Sequence, residues 1–203
     1  MKTASAVLAA LLGLLLTACS LGQPQQSPTT FVVEPPPPAG RLSSAFGRET
    51  ARMGAVRVTG GFAGAALVYR RDDVTFVSDP WNAFITDPAA MLGSRIASWL
   101  DVAGPFRAVV QPGSNQTTRY AVEATVTELY GDFRPGEAPA AVLTIQFALV
   151  DATALRTTTL FERTYSRRVT LPAAAPAALA RGFGQALGEM LTALVPDLAT
   201  AAR

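Results

Sequence analysis

The stretch AAVLTIQFALV, residues 140–150, decides the fold. Leu143, Ile145, Phe147 and Leu149 occupy alternate positions, with Thr144 and Gln146 between them. As a β-strand this segment turns its large apolar side chains to one face and its polar ones to the other, which demands a sheet covered on one side. Working outward, Tyr120 to Leu129 reads as a preceding strand. Leu160 to Val169 reads as a following one that pairs with it through the loop from Asp151 to Thr158. Between the first two, Tyr130-Gly-Asp-Phe-Arg-Pro-Gly136 is turn-rich and carries two aromatic residues.

Two helices are available to cover the apolar face. From about Pro172 to Ala199, Leu179, Phe183, Leu187, Met190, Leu191, Leu194 and Leu198 form one stripe. Gly182, Gly184 and Gly188 cost this helix stability and suggest close packing on the sheet. An earlier helix starts near Asp87-Pro88, where Asp caps and Pro suits the first turn. Its Met91, Leu92, Ile96, Trp99 and Leu100 share one face, and Gly104-Pro105 stops it before a strand from Phe106 to Val110. Upstream, Ala55 to Thr59 alternates as a strand. Ala66 to Arg70 and Val74 to Val77 flank Arg71-Asp72-Asp73 as the arms of a hairpin. The expected fold is α/β, more narrowly α+β: one domain over residues 53–200, with a mixed sheet packed by two helices on one face.

Residues 19–52 have a different character, rich in Gln, Ser and Pro and including the run Pro35 to Pro38. Such composition favours extended polyproline II and reads as a tether, with a possible short edge strand over 30–33. Residues 1–18 have the form of a signal peptide: Lys2, an apolar stretch from Ala6 to Leu16, then small residues before Cys19. Cys19 is the chain's single cysteine and there is no histidine, so a disulfide within the chain and an ordinary thiolate metal site are both excluded. Leu16-Thr17-Ala18-Cys19 resembles the bacterial lipobox. That implies cleavage between Ala18 and Cys19 and acyl or diacylglycerol lipid on the Cys19 thiol, with no other cofactor. Each buried acyl CH₂ contributes roughly 0.8 kcal/mol, so several chains on one residue anchor a protein durably. Ser20, by resemblance to enterobacterial lipoproteins, favours the outer membrane, with the domain on the periplasmic side.

The remaining composition mostly excludes. The 17 basic residues face 15 acidic ones. The only lysine is Lys2, so the chain after the signal has one more arginine than it has carboxylates, and nucleic-acid binding has no electrostatic basis. Without histidine or further lysine, Ser-His-Asp and Cys-His triads, Ser-Lys dyads, Schiff bases and P-loop chemistry all disappear. Paired carboxylates remain, with Asp72-Asp73 and Asp79/Asp87 as candidates, but neighbouring Asp72 and Asp73 fit a hairpin turn better than an acid-base pair. The expectation is that the chain is no enzyme.

The order of these features resembles the ABC-type transport auxiliary lipoproteins from about Thr30 to Leu198. The resemblance rests on the lipobox, Phe31-Val32-Val33 before prolines, the strand Leu67-Val-Tyr-Arg70 and Trp81 before the first helix. It continues in Gly104-Pro-Phe-Arg-Ala-Val109 and Ala186-Leu-Gly-Glu-Met-Leu191. Two departures stand out: Gly61-Phe-Ala-Gly-Ala65 replaces the usual Pro-x-Tyr-Leu element, and Phe31 stands where tyrosine is common. The resemblance implies a fold like the N-terminal domain of TolB. It also implies an auxiliary or docking role in an ABC transport system whose substrate-binding subunit carries a mammalian-cell-entry domain and which moves lipids or other hydrophobic molecules. Similar family members are implied to form rings, although no stretch here demands a homo-oligomer.

Candidate partner-contact residues are the aromatic and arginine positions in exposed-looking segments: Tyr69 and Arg70 in the hairpin, Trp81 and Phe84 before the first helix, and Tyr130 and Phe133 in the turn after it. For Trp81 and Phe84 the alternative is peripheral core at the helix start. Two alternatives to the transporter role also stand, an envelope-assembly or binding lipoprotein with no transporter and a carboxylate-dependent hydrolase.

Overall fold

The computed structural model describes residues 27–152 and 157–202. The first four strands are β1 (Thr29–Phe31), β2 (Thr50–Val58), β3 (Ala66–Arg70) and β4 (Phe76–Phe84). Helix α1 (Pro88–Ala103) is followed by β5 (Ala108–Val110), β6 (Tyr120–Asp132), β7 (Ala140–Asp151) and β8 (Thr158–Thr170), and α2 (Pro176–Ala199) comes last. The described strands form one mixed sheet centred on β6. One edge of β6 pairs antiparallel with β7, from Tyr120↔Asp151 to Asp132↔Ala140, and β8 continues in the same sense. Its other edge is divided: β2 lies parallel along Tyr120 to Val126, and β3 lies parallel at Gly131 and Asp132. β5 extends the β2 branch, while β4 and then β1 extend the β3 branch.

Alternation in β7 sets the core as expected. Leu143, Ile145, Phe147 and Leu149 are fully buried with Leu92, Ile96 and Leu100 of α1 and Leu179, Phe183 and Leu187 of α2. Both helices therefore cover one face of the sheet. α1 begins where the sequence suggests, with the Ala90 amide donating to Asp87 Oδ1 at 2.9 Å. It ends at Gly104, whose φ of +92° and whose contact with the Ser43 carbonyl leave no space for a side chain.

Two expectations are corrected here. Most of residues 19–52 is not a free tether: β1 pairs with β4, Val33 is fully buried, Phe46 is buried against Phe106, and Ala51 lies inside β2. The domain therefore begins well before residue 53. Residues 33–46 form a strap across both helices. Trp99 Nε1 donates to the Pro36 carbonyl at 2.9 Å, and Arg41 donates through Nη1 to the Phe106 carbonyl at 2.6 Å and through Nη2 to the Asp101 carbonyl at 3.1 Å. The glycines of α2 divide accordingly. Gly182 does meet the sheet layer, where a Cβ would lie 2.8 Å from Ala141 Cβ. Gly184 and Gly188 instead seat the strap: a methyl on the first would overlap the Glu34 carbonyl, and one on the second would lie 2.9 Å from Pro36 Cδ.

A second difference lies after Val77, where the strand expected over Val74 to Val77 runs on through Ser78 to Phe84. These residues belong to β4, which absorbs extra residues between the pairs Val68↔Ser78 and Ala66↔Ala83.

Candidate functional site

The ends of β3 and β6 and the start of β4 bring Tyr69, Arg70, Tyr130 and Phe133 to one corner of the sheet. The Tyr69 and Phe133 rings stack at 5.0 Å, and the Phe133 amide donates to the Arg70 carbonyl at 3.0 Å. On the sheet face away from the helices, Tyr130 meets Phe76 edge-on at 5.1 Å and Phe62 in a stack at 5.8 Å, with the Arg70 guanidinium 5.9 Å from the Phe76 ring centre. Phe62 and Phe76 were not singled out in the sequence; their signal, aromatics flanking Gly-rich and Asp-rich turns, is too common to be specific.

Beneath this corner lies a charge cluster that sequence reasoning missed. Asp132 is fully buried and accepts from Arg134 Nε and Nη2, both at 2.9 Å, and from Arg168 Nη1 at 2.6 Å. Arg134 Nη1 reaches on to Asp73 at 3.1 Å. The Arg134 guanidinium, joined by Arg168 and opposed by burial, holds the Asp132 carboxyl well below the usual carboxylate range. Two carboxylates are shared among three guanidiniums, Arg70 also lying 3.7 Å from Asp73, so the cluster clamps β3, β6, β8 and the 71–75 turn together.

Asp79 organises the bulge in β4. Its Oδ1 accepts from the amides of Trp81 and Asn82 at 2.8 and 3.1 Å. Its Oδ2 accepts from Tyr69 Oη at 2.7 Å and Asn82 Nδ2 at 2.8 Å. Burial disfavours this carboxylate, but those donors outweigh it and keep its pKa low; burial first, and then Asp79, push the Tyr69 phenol upward. The bulge leaves Trp81 54% exposed. The other carboxylates raised as possible acid-base partners also hold backbone: Asp72 Oδ1 accepts from the amides of Val74 and Thr75, and Asp87 caps α1. Asp73 pairs with Arg134.

The six candidate contact residues thus separate. Phe84 is 4% exposed and tilts against Phe183 of α2, which places it in the core. Tyr69 and Tyr130 are buried and support the corner from within. Arg70 and Phe133 are half-buried at its surface, and Trp81 alone is widely exposed. Ala18 and Cys19 lie outside the described residues. A separate groove of about 490 Å³ runs between the strap and the helices, lined by Pro36, Pro37, Leu42, Trp99 and Thr192, with Arg167 and Glu189 paired at 3.5 Å among its walls.

Comparison with known folds finds a protein from Xanthomonas campestris at TM-score 0.66 and 18% identity, covering 86% of this chain and 95% of that one. An uncharacterized protein aligns at TM-score 0.62 and 15% identity, over 85% and 99% of the two chains. A hypothetical protein from Chlamydia trachomatis aligns at TM-score 0.50 and 10% identity, over 76% and 98%. At these identities the likeness shows the fold. A search of curated proteins finds no match. Family models are more decisive, for residues 31–195 match that of the ABC-type transport auxiliary lipoprotein component, not a known enzyme family. With its strands, strap and both helices falling almost wholly inside the matched span, the chain belongs to that family, and is a lipid-anchored auxiliary component of ABC-type transport.

Proposed function

We propose that the chain is anchored through lipid on Cys19, after cleavage behind Ala18, to the periplasmic side of the outer membrane. There it acts as a docking component for an ABC transport system with a mammalian-cell-entry-domain subunit that moves lipids or other hydrophobic molecules. The observation that carries this reading is the family match over residues 31–195, joined to a lipobox in the segment before it. The likeness to the TolB N-terminal domain belongs to the same proposal. Within it, the partner meets the corner where Arg70 and Phe133 reach the surface over buried Tyr69 and Tyr130, since aromatic and arginine side chains on rigid elements make effective anchors. No catalytic step is assigned to it.

The test is affinity recovery of the tagged, lipidated chain from solubilised membranes, followed by mass spectrometry. Recovery of a mammalian-cell-entry-domain subunit with its permease supports the proposal. Recovery of outer-membrane assembly components alone, under conditions that keep transporters intact, replaces it with an envelope-assembly role.

A further inference from the structure

Six of the nine exposed large apolar residues among those described gather around one edge of the sheet: Val32, Val74, Phe76, Val77, Trp81 and Ile85. This edge belongs to β4 and is only partly covered, because β1 pairs with Asn82 to Phe84 and no further. Val77, Trp81 and Ile85 are 42%, 54% and 60% exposed, and Val32 follows β1 beside Ile85, whose amide donates to the Phe31 carbonyl at 3.0 Å. Concentrated apolar exposure of this kind marks either a macromolecular contact or a lipid contact.

Two observations favour lipid. An added strand needs free backbone donors, and along the bulge at the centre of this edge they are withdrawn: Pro80 has none, and the Trp81 and Asn82 amides are already bonded to Asp79 Oδ1. What remains on offer is side chain, with a tryptophan held on a bulge fastened at four points by one carboxylate. The second observation is position. Thr29 lies beside Asn82, one residue from Trp81, so the chain leading back to the anchor departs from this edge. Ten residue steps lead from Cys19 to Thr29, and even fully extended they span at most about 36 Å. The edge is therefore held close to the bilayer, where tryptophan favours the interfacial layer.

We propose that the β1–β4 edge, with Trp81 at its centre and Val32, Val77 and Ile85 beside it, is a second membrane contact that seats the domain on the lipid surface to which it is tethered. Charges around the edge are mixed, with Arg70 and Arg71 next to Asp72 and Asp73, so the surface it fits is zwitterionic phospholipid. This inference rests on the Cys19 anchor proposed above.

The lipidated full chain is reconstituted in vesicles of phosphatidylcholine and phosphatidylethanolamine, with and without phosphatidylcholine brominated on its acyl chains. The chain has two tryptophans, and Trp99 is buried under the strap, so a lipid-borne quencher reports on Trp81. The expected result is at least a halving of the Trp81 emission, lost in Trp81→Phe, together with protection of Trp81 from aqueous iodide. Unchanged emission with brominated lipid, and iodide access equal to that in detergent, overturns the inference. Flotation of the same vesicles separates the two readings: protein that floats without quenching sinks only the edge contact, whereas protein that does not float sinks the anchor as well.

Discussion

Replacing Gly184 with alanine tests the strap against helix propensity, because the two make opposite forecasts. In a helix interior alanine is favoured over glycine by about 1 kcal/mol, so a helix packed only on the sheet would gain stability. Here the new methyl would overlap the Glu34 carbonyl oxygen, which is backbone and cannot swing aside. Displacing the strap removes the burial of Val33, fully enclosed in the native fold and worth about 1.5–3 kcal/mol. It also loosens the Trp99–Pro36 hydrogen bond, worth about 0.5–1.5 kcal/mol. Offset by the propensity gain, the net expectation is a loss of about 1–3 kcal/mol. With urea slopes of about 1–3 kcal/mol per molar for a domain of this size, the unfolding midpoint falls by roughly 1 M. Proteolysis within Pro35 to Arg41 should accelerate in parallel. Gly188→Ala, which meets a proline ring at 2.9 Å, should show a smaller loss. A Gly184→Ala protein more stable than wild type would refute the strap argument.

Further outcomes follow from the buried groups. The Asp132 carboxyl is depressed in the folded state, so its contribution is fully present above the unfolded carboxylate pKa of about 4 and is lost as pH falls toward the folded value. The stability gap between wild type and Asp132→Asn should stay constant from neutral pH down to about 5 and close below about 4; urea midpoints that keep the gap to pH 2 would contradict the clamp. Phe84→Ala should cost about 3–5 kcal/mol as a core truncation, whereas Trp81→Ala at its exposed bulge should change stability by less than about 0.5 kcal/mol, both read by chemical denaturation.

The sheet and its helical cover were legible because their signals are local and repeated. Leu143, Ile145, Phe147 and Leu149 alternate, and Asp87-Pro88 and Gly104 punctuate α1, so a window of a dozen residues holds enough information. The strap was not legible, for composition alone makes Pro35 to Pro38 a linker. What holds it is a seat formed by Gly184 and Gly188, about 150 residues later in the chain. The same limit explains β4. A strand pattern interrupted by Asp79-Pro80 reads as finished, because the Asp79 side chain that supplies the missing hydrogen bonds is invisible to backbone propensity. Misplacing that strand end also promoted Phe84 to a surface candidate. Arg134 and Arg168 gave no sign of sharing Asp132, because β8 must first be laid beside β7.

The strap also imposes an order in time. Its residues leave the ribosome well before α2, the helix whose glycines complete their seat. Until α2 has folded onto the sheet, the strap has only the α1 half of its seat, through Trp99 and the Met91 sulfur, and Glu34 and Pro36 lack the glycine face that receives them. A chain interrupted before Pro176 would therefore hold its proline run on one side only, open to proteases. Only a finished domain closes both sides of the seat, so completion of the fold and protection of the proline run become a single event.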